Sequence, residues 1–295
     1  MKVCRFVPPI SGSASHLLPA PRLGVLTPDG SQVLDLTSLG VESLPALLNQ
    51  PDCRLALDGY LQSALGRRIP LSMVTLLAPV DTQEVWAAGV TYLRSKSARM
   101  EESDFSATAY DRVYDAARPE IFFKSMPAKV SGPGGPIGIR SDARWNVPEP
   151  ELVLVLNARG TVVGYSIGND MSSRDIEGEN LLYLPQAKMY KHACALGPFI
   201  TVGVSEEEAR AWTISIAIER AGATVFSGST EVSKIKRGFD ELSQWLFRSQ
   251  EFPSGAMLLT GTGVVPPNEF TLAAGDVVRI RVTGIGELVN TVEVV

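Results

Sequence analysis

Short apolar runs, and runs in which apolar and polar residues alternate, recur along most of the chain. The run Leu-Val-Leu-Val-Leu at 152–156 indicates a buried strand. Helical spacing of apolar residues is limited to a few stretches, chiefly 43–65, which is interrupted at Pro51, and 238–248. Four later segments alternate as half-buried strands do: 213–219, 223–226, 277–282 and 288–294. The pattern predicts an α+β protein that is mainly β-structure.

Residues 1–75 differ in texture from the rest of the chain and are predicted to form a small N-terminal α+β domain. They contain a predicted hairpin, 23–36, with a Pro-Asp-Gly turn, followed by the helical stretch 43–65. No group of reactive side chains stands out among them, so packing or subunit contact is their expected role. Residues 76–295 are predicted to form the main domain.

The composition is that of a globular protein with a substantial core, since 45% of the 295 residues are hydrophobic and 20% are charged. The formal net charge is −5 and no cluster of basic residues stands out, so nucleic acid and anionic membranes are not expected partners. No apolar run approaches the length of a membrane span, and the first residues lack the apolar region of a signal peptide. Three widely spaced cysteines, Cys4, Cys53 and Cys194, suit a reducing compartment, and we expect a cytoplasmic protein.

Three carboxylates lie at the ends of a predicted hairpin. Glu149 and Glu151 are two residues apart, so in an extended chain both side chains point to the same face. After a turn at 157–160, a second strand, 161–167, leads to Asp170. Three converging acids repel one another unless a cation lies between them. Oxygen ligands without Cys or His favour Mg²⁺, Mn²⁺ or Ca²⁺ over zinc.

A solvated strand face is the alternative interpretation of these acids, because paired glutamates are common on such faces. Three features favour a metal site instead: the adjoining apolar run, Asp170 at the far end of the hairpin, and the prolines at 148 and 150. Each proline keeps the residue before it extended. The residues alone leave both interpretations open.

Two further pairs of charged residues are candidates for the same site or its scaffold. The strand at 119–124 places Glu120 and Lys124 on one face. Arg174 and Asp175 are adjacent and opposite in charge, and we expect them to form a buried scaffold pair.

Taken together, these segments resemble the fumarylacetoacetate hydrolase family over roughly 77–295. The resemblance implies a mixed β-roll catalytic domain that binds Mg²⁺ or Mn²⁺ through Glu149, Glu151 and Asp170. It also implies that Lys188 corresponds to an active-site lysine of the family, and that the protein is a homodimer or homotetramer. The segments that carry the resemblance are Gly89–Tyr92, Pro119–Lys124, Glu149 with Glu151, Asn169–Asp175, Lys188 with Gly197-Pro198, Thr260–Thr262, and Gly275-Asp276.

One departure from the family pattern changes the expected reaction. Thr91 stands where the pattern has Asn, and Ser95 stands where hydrolases of the family carry the His that activates water. Without that base a hydrolase loses its general-base step. The sequence is more similar to the dehydratase branch of the family, which converts a 2-keto-3-deoxypentonate into 2,5-dioxopentanoate and water.

This resemblance leads to a set of expected roles around a small 2-oxo acid substrate. We expect Glu120 to act as the acid/base and Lys188 to act electrostatically. Thr91, Lys124 and Thr262 are the predicted substrate-binding residues. Three alternatives remain: hydrolysis of an acylpyruvate or fumarylpyruvate, decarboxylation of oxaloacetate, and an inactive paralogue that only binds a sugar acid.

Overall fold

The structure is a computed structural model that describes residues 1–9, 20–93 and 112–295. Its described strands form three sheets, of eleven, five and two strands. We number the strands in chain order: β1 Lys2–Val7, β2 Arg22–Leu26, β3 Gln32–Asp35, β4 Arg68–Pro70, β5 Thr75–Leu77, β6 Glu84–Gly89, β7 Glu120–Ser125, β8 Pro136–Ile139, β9 Asn146–Val147, β10 Pro150–Leu156, β11 Val162–Asp170, β12 Ser172–Ser173, β13 Cys194–Val202, β14 Thr213–Arg220, β15 Ala223–Glu231, β16 Ala256–Thr262, β17 Val277–Val282 and β18 Gly286–Val294.

The eleven-stranded sheet runs β4-β3-β2-β1-β13-β11-β10-β16-β6-β7, and β5 pairs with β1 beside this path. Its central strands β10, β13 and β16 are buried along their whole length. The five-stranded sheet runs β15-β14-β17-β18-β8, and β12 pairs with β9. This mixed, sheet-rich architecture confirms the predicted fold class.

Two large cores lie on opposite faces of strand β10. Leu152 and Leu154 belong to a core that also contains Ile214 and Ile216 of the five-stranded sheet. Val153, between them, belongs to a second core that includes leucines of the N-terminal helices. The run at 152–156 is therefore continuous in apolar residues because both faces of the strand are covered.

The N-terminal segment is joined to the main sheet by backbone pairing. Lys2 and Val3 of β1 pair with Thr201 and Ile200 of β13, in antiparallel orientation. Strands β2, β3 and β4 then continue the sheet outward from β1. The division at residue 75 therefore stays a prediction, and residues on both sides of it share one sheet.

The described α-helices are short, and side-chain caps precede three of them, Leu44–Leu48, Cys53–Gln62 and Glu206–Arg210. Asp52 caps the second of these through Leu55 N at 2.8 Å, and Ser205 forms a capping box with Glu208 in the third. Among the described residues, no helix is long and apolar enough to span a membrane. The helices for which bounds are given are α1 Leu44–Leu48, α2 Cys53–Gln62, α3 Arg174–Glu179, α4 Leu184–Lys188, α5 Glu206–Arg210 and α6 Phe239–Phe247.

Candidate active site

The β10–β11 hairpin brings the acidic residues together at its open end. Its turn is held by the Asn157 side chain, which accepts hydrogen bonds from Arg159 N and Thr161 N, both at 3.0 Å. At the other end, Asp170 N donates to Glu149 O at 2.9 Å. Strand pairing sets Glu151 opposite Gly168, close to Asp170 in the neighbouring strand. The register of this hairpin therefore fixes the positions of all three acids.

Glu149, Glu151 and Asp170 form one compact, buried group. Each offers a carboxylate oxygen, and these atoms all lie within 4.8 Å of one another. The three residues are only 3%, 2% and 2% exposed. Burial raises the pKa of Glu151 well above its ordinary value, and the charges of Asp170 and Glu149 raise it further. Such a group gains stability from a cation, which favours the ionised carboxylates.

Lys188 lies between two of the acids. Its Nζ donates to Glu149 Oε2 at 2.6 Å, to Asp170 Oδ2 at 3.0 Å and to Ser172 Oγ at 2.5 Å. Its side chain is almost completely buried, so these contacts replace its hydration. The structure thus brings Lys188 into the acidic group, as the sequence predicts, while its catalytic role stays a prediction.

Lys124 is a second buried cation at the acidic group. Its Nζ lies 2.5 Å from Asp170 Oδ1, and it also donates to Met171 O at 3.0 Å and Lys188 O at 2.5 Å. Burial lowers the pKa of Lys124, and the Asp170 charge opposes that shift. Because an ammonium has three N–H donors, all three are directed at protein acceptors. The predicted substrate contact of Lys124 remains untested, and it would require one of these bonds to be given up.

Arg174 completes the set of cations, and its partner differs from the one expected. Its Nη2 lies 2.6 Å from Glu149 Oε1, and the residue is 2% exposed. Asp175, the expected partner, instead accepts a hydrogen bond from Arg144 N at 2.6 Å. The expectation of an Arg174–Asp175 pair is therefore wrong. Both residues begin α3, where consecutive side chains point in different directions around the helix.

The acids fit a hard divalent ion. All three candidate ligands are carboxylate oxygens, which Mg²⁺ prefers, and no described Cys or His belongs to the group. Counted as ionised, the three acids are balanced by Lys124, Lys188 and Arg174. A divalent ion held here would therefore present its positive charge to a bound anion rather than lose it to the protein.

Strand β7 directs one face toward the acidic group. Lys124 contacts Asp170, and Lys188 Nζ lies 5.8 Å from the centre of the Phe122 ring. Glu120 lies on this same face because residues two apart in a strand point the same way. The predicted grouping of Glu120 with Lys124 on one face agrees with these contacts.

Two glycines lie beside carboxylates between β7 and β10. Glu120 pairs with Gly89, and a Cβ added to Gly89 would overlap the Glu120 carboxylate. Gly261 N donates to Glu151 Oε2 at 2.6 Å, and a Cβ on Gly261 would overlap Thr91 Oγ1. The two glycines belong to adjacent strands, β6 and β16. The Glu120 carboxylate therefore lies over the Gly89 backbone, on the side of β7 where β6, β16 and β10 follow in the sheet.

The two threonines predicted to bind substrate have intramolecular hydrogen bonds. Thr91 Oγ1 donates to Thr260 O at 2.5 Å, and Thr262 Oγ1 lies 3.1 Å from Val264 O. Both are buried, at 1% and 3% exposure. These bonds hold the loops at the ends of β6 and β16 beside Gly261. Substrate contact by either hydroxyl stays a prediction, and Ser95 lies outside the described residues.

Sequence reasoning did not assign Ser172 and Arg174 to the site. Ser172 Oγ lies 2.5 Å from Lys188 Nζ, and Arg174 pairs with Glu149. The signal was available, because both residues belong to the segment Asn169–Asp175 that carries the family resemblance. What was missing was the tertiary contact that brings each beside its partner.

A family comparison bears directly on this geometry. The model of the fumarylacetoacetate (FAA) hydrolase C-terminal family matches residues 84–293. The chain belongs to the fumarylacetoacetate hydrolase family. The match includes β6, β7, the acidic hairpin and α4, and thus every predicted site residue.

Several members of the family that are similar to this chain are named as dehydratases. A probable 2-keto-3-deoxyxylonate dehydratase of Haloferax volcanii is 48% identical over 217 residues, which are 74% of each chain. The 2-dehydro-3-deoxy-D-arabinonate dehydratase of Saccharolobus solfataricus is 39% identical over 233 residues, 78% of each chain. A solved 2-keto-3-deoxy-D-arabinonate dehydratase, complexed with magnesium and 2,5-dioxopentanoate, has a TM-score of 0.82 at 32% identity and covers 100% of this chain and 99% of its own.

Proposed function

We propose that the protein is a Mg²⁺-dependent lyase that dehydrates a 2-keto-3-deoxypentonate to 2,5-dioxopentanoate. The observation that carries the proposal is the buried Glu149–Glu151–Asp170 group, beside the face of β7 on which Glu120 and Lys124 lie. The similarity to dehydratases at 48% and 39% identity supports the same reaction.

The substrate has a carboxylate at C1, a keto oxygen at C2, a CH₂ group at C3 and hydroxyls at C4 and C5. Glu149, Glu151 and Asp170 would hold the Mg²⁺, which would supply positive charge that favours negative charge on the C2 oxygen of the substrate. Lys188 adds an ammonium beside the same acids, so negative charge on the substrate is further stabilised.

Glu120 is the proposed proton carrier for the elimination. It takes a proton from C3 as the enolate forms, and it returns that proton to the C4 hydroxyl, which leaves as water. The resulting alkene is conjugated with the C2 keto group. Moving a proton from C5 to C3 then gives an enol across C4 and C5, which becomes the aldehyde when its hydroxyl proton moves to C4. The sum is substrate to 2,5-dioxopentanoate plus one water.

The position of His192 does not support hydrolysis as the reaction. The ring nitrogens of His192 lie 3.3 Å from Ser131 Oγ and 3.2 Å from Glu293 Oε1. Neither partner belongs to the acidic group, and His16 lies outside the described residues. Elimination needs no attacking water, so the residues that surround the acids suffice for it.

A product assay of the purified protein tests the reaction. The Mg²⁺-loaded enzyme would be incubated separately with D- and L-2-keto-3-deoxypentonates, oxaloacetate and an acylpyruvate. We expect 2,5-dioxopentanoate from a pentonate, and its loss in Glu149→Ala. Cleavage of the acylpyruvate, or release of CO₂ from oxaloacetate, without dehydration of either pentonate would overturn the proposal.

Two further parts of the proposal concern the state of the protein in the cell. We propose a cytoplasmic homodimer or homotetramer that acts on a small soluble acid. The three cysteines are buried free thiols, which is compatible with a reducing compartment. Light scattering coupled to gel filtration would give the subunit number, and a monomer at micromolar concentration would contradict this part.

A further inference from the structure

We propose that the face of β7 opposite Glu120 carries a second binding site, which takes a small oxyanion, a phosphate or carboxylate with a short apolar portion. The site is a cleft of about 310 Å³ between the start of β7 and the end of α6. Nothing in the dehydration reaction uses it. Its lining residues include Trp86, Arg118, Ile121, Trp245, Arg248 and Gln250.

Two arginines stack on one tryptophan in this cleft. The guanidinium carbon of Arg118 lies 4.6 Å from the centre of the Trp245 ring, and that of Arg248 lies 3.9 Å from it. Both arginines are exposed, and neither has an acidic partner among the residues that the structure describes. Stacking holds each planar group in place while its N–H donors stay available, and such forks match carboxylate and phosphate oxygens.

The end of α6 accounts for a positive charge at only one of these two positions. Arg248 is the C-cap residue, where a positive charge complements the partial negative charge of a helix end. Arg118 lies in the segment that precedes β7, and its guanidinium contacts the same Trp245 ring. In a chain with a net charge of −5, two arginines that stack on one tryptophan and have no acidic partner in the described part of the chain form a local positive site.

The backbone at the edge of the cleft is held in a costly conformation. Ser249 has φ of 110°, a region that non-glycine residues rarely occupy. Ser249 N and Gln250 N both donate to Phe247 O, at 3.0 and 3.4 Å. This turn places Ser249 and Gln250 on the cleft wall, where they add neutral hydrogen-bonding groups beside the arginines.

The other walls of the cleft are apolar, and they favour a ligand that has an apolar portion beside its anionic group. Ile121 lies in β7 and Pro119 directly precedes it, and Trp86 and Leu246 also line the cleft. These side chains are apolar, so a ligand with a short hydrocarbon or aromatic portion gains contact that a bare anion lacks. Ile121 points away from the face of Glu120, so the ligand does not occupy the acidic site.

Calorimetric titration with phenyl phosphate and phenylacetate tests the site without using enzyme activity. We expect both anions to bind and the neutral 2-phenylethanol to bind at least tenfold more weakly. Arg118→Gln and Arg248→Gln should each weaken the anions at least tenfold, because each removes a charge-assisted contact. Arg118→Lys should weaken them less, since it keeps the charge but loses the fork.

Arg281→Gln is the matched control, since Arg281 is an exposed arginine of β17 in the five-stranded sheet. We expect this variant to bind both anions like the wild type. Equal binding by wild type, Arg118→Gln and Arg248→Gln would overturn the proposal, as would equal affinity for 2-phenylethanol. If phenyl phosphate alone binds, the ligand is a phosphate ester; if phenylacetate alone binds, it is a carboxylate.

Discussion

At the scale of single residues, Gly89 decides where the Glu120 carboxylate can lie. The two residues are direct partners in the β6–β7 pair, and any side chain on Gly89 would occupy the space of that carboxylate. Glycine is required here by close approach, since Gly89 is not among the residues with positive φ.

We therefore expect Gly89→Ala to displace Glu120 and to lower kcat by at least about 100-fold, the lower end of what a general acid–base group contributes. Mg²⁺ affinity should stay within about threefold of wild type, because the three acids are untouched. Steady-state kinetics and calorimetry would measure the two quantities. Unchanged kcat in this variant would remove Glu120 from the reaction.

Arg174 balances the charge of the buried Glu149 carboxylate. Removing one member of a buried ion pair typically costs about 3–5 kcal/mol, and Glu149 would keep Lys188 as a partner. We expect Arg174→Met to lower the free energy of unfolding by about 3 kcal/mol, measured by urea denaturation. Arg144→Met, at an exposed position, should change it by less than about 0.5 kcal/mol. Equal stability of the two variants would show that the Arg174–Glu149 contact contributes little.

The sequence was sufficient to predict the acids but not their counter-charges. Glu149 and Glu151 are grouped by strand alternation, and Asp170 follows from one hairpin, so local rules suffice. Lys124 and Arg174 reach the same acids from β7 and α3, through contacts that no spacing rule contains. Adjacency of opposite charges was a misleading signal for Arg174 and Asp175.

At the scale of elements, the structure contains several helices and strands where the sequence predicts them, because turn and cap residues define their ends. The hairpin expected at 23–36 is formed by β2 and β3, and the break expected at Pro51 separates α1 from α2. The helix expected at 238–248 is α6, Phe239–Phe247. Each of these depends on residues close in sequence, which is why pattern alone could place them.

Two glycines in the N-terminal part give a matched test of element stability. Gly59 lies exposed inside α2, and an added Cβ would meet nothing within 4 Å. Gly59→Ala should therefore raise the free energy of unfolding by about 0.5–1 kcal/mol, because alanine is the better helix former.

Gly30 is the counterpart, since its surroundings are equally open but its φ is +71°. Gly30→Ala should lower the free energy of unfolding by about 1 kcal/mol, since L-residues are disfavoured in that region. Urea denaturation measures both variants. Shifts of the same sign would mean that backbone conformation is not the deciding factor.

At the scale of the whole molecule, strand pairing across the chain lies beyond sequence patterns. β1 pairs with β13 almost two hundred positions later, and β16 pairs with β6 in parallel. Hydrophobic periodicity identifies strands but not their neighbours, so it does not show that residues on both sides of position 75 share one sheet. The family resemblance supplied the overall fold, which the pairing then confirms.

The acidic group links metal binding to the stability of the whole chain. A ligand that binds only the folded state at 100 times its Kd adds about 2.7 kcal/mol to the free energy of unfolding. We expect Mg²⁺ to stabilise the wild type by about this amount and Glu151→Gln by much less. Glu251→Gln, an exposed glutamate, is the control and should respond like wild type. An equal response of Glu151→Gln would place the ion elsewhere.

The acidic group and Glu120 are proposed to act together in the dehydration of a 2-keto-3-deoxypentonate. Turnover in D₂O with Mg²⁺, followed by ¹³C and ²H NMR, would detect both the product and the proton transfers. We expect 2,5-dioxopentanoate carrying deuterium at C4, which receives the exchangeable hydroxyl proton of the enol, and Glu120→Gln should slow its formation at least about 100-fold. Splitting of the pentonate into pyruvate and glycolaldehyde would exclude dehydration as the reaction, and full activity of Glu120→Gln would exclude Glu120 as its acid/base.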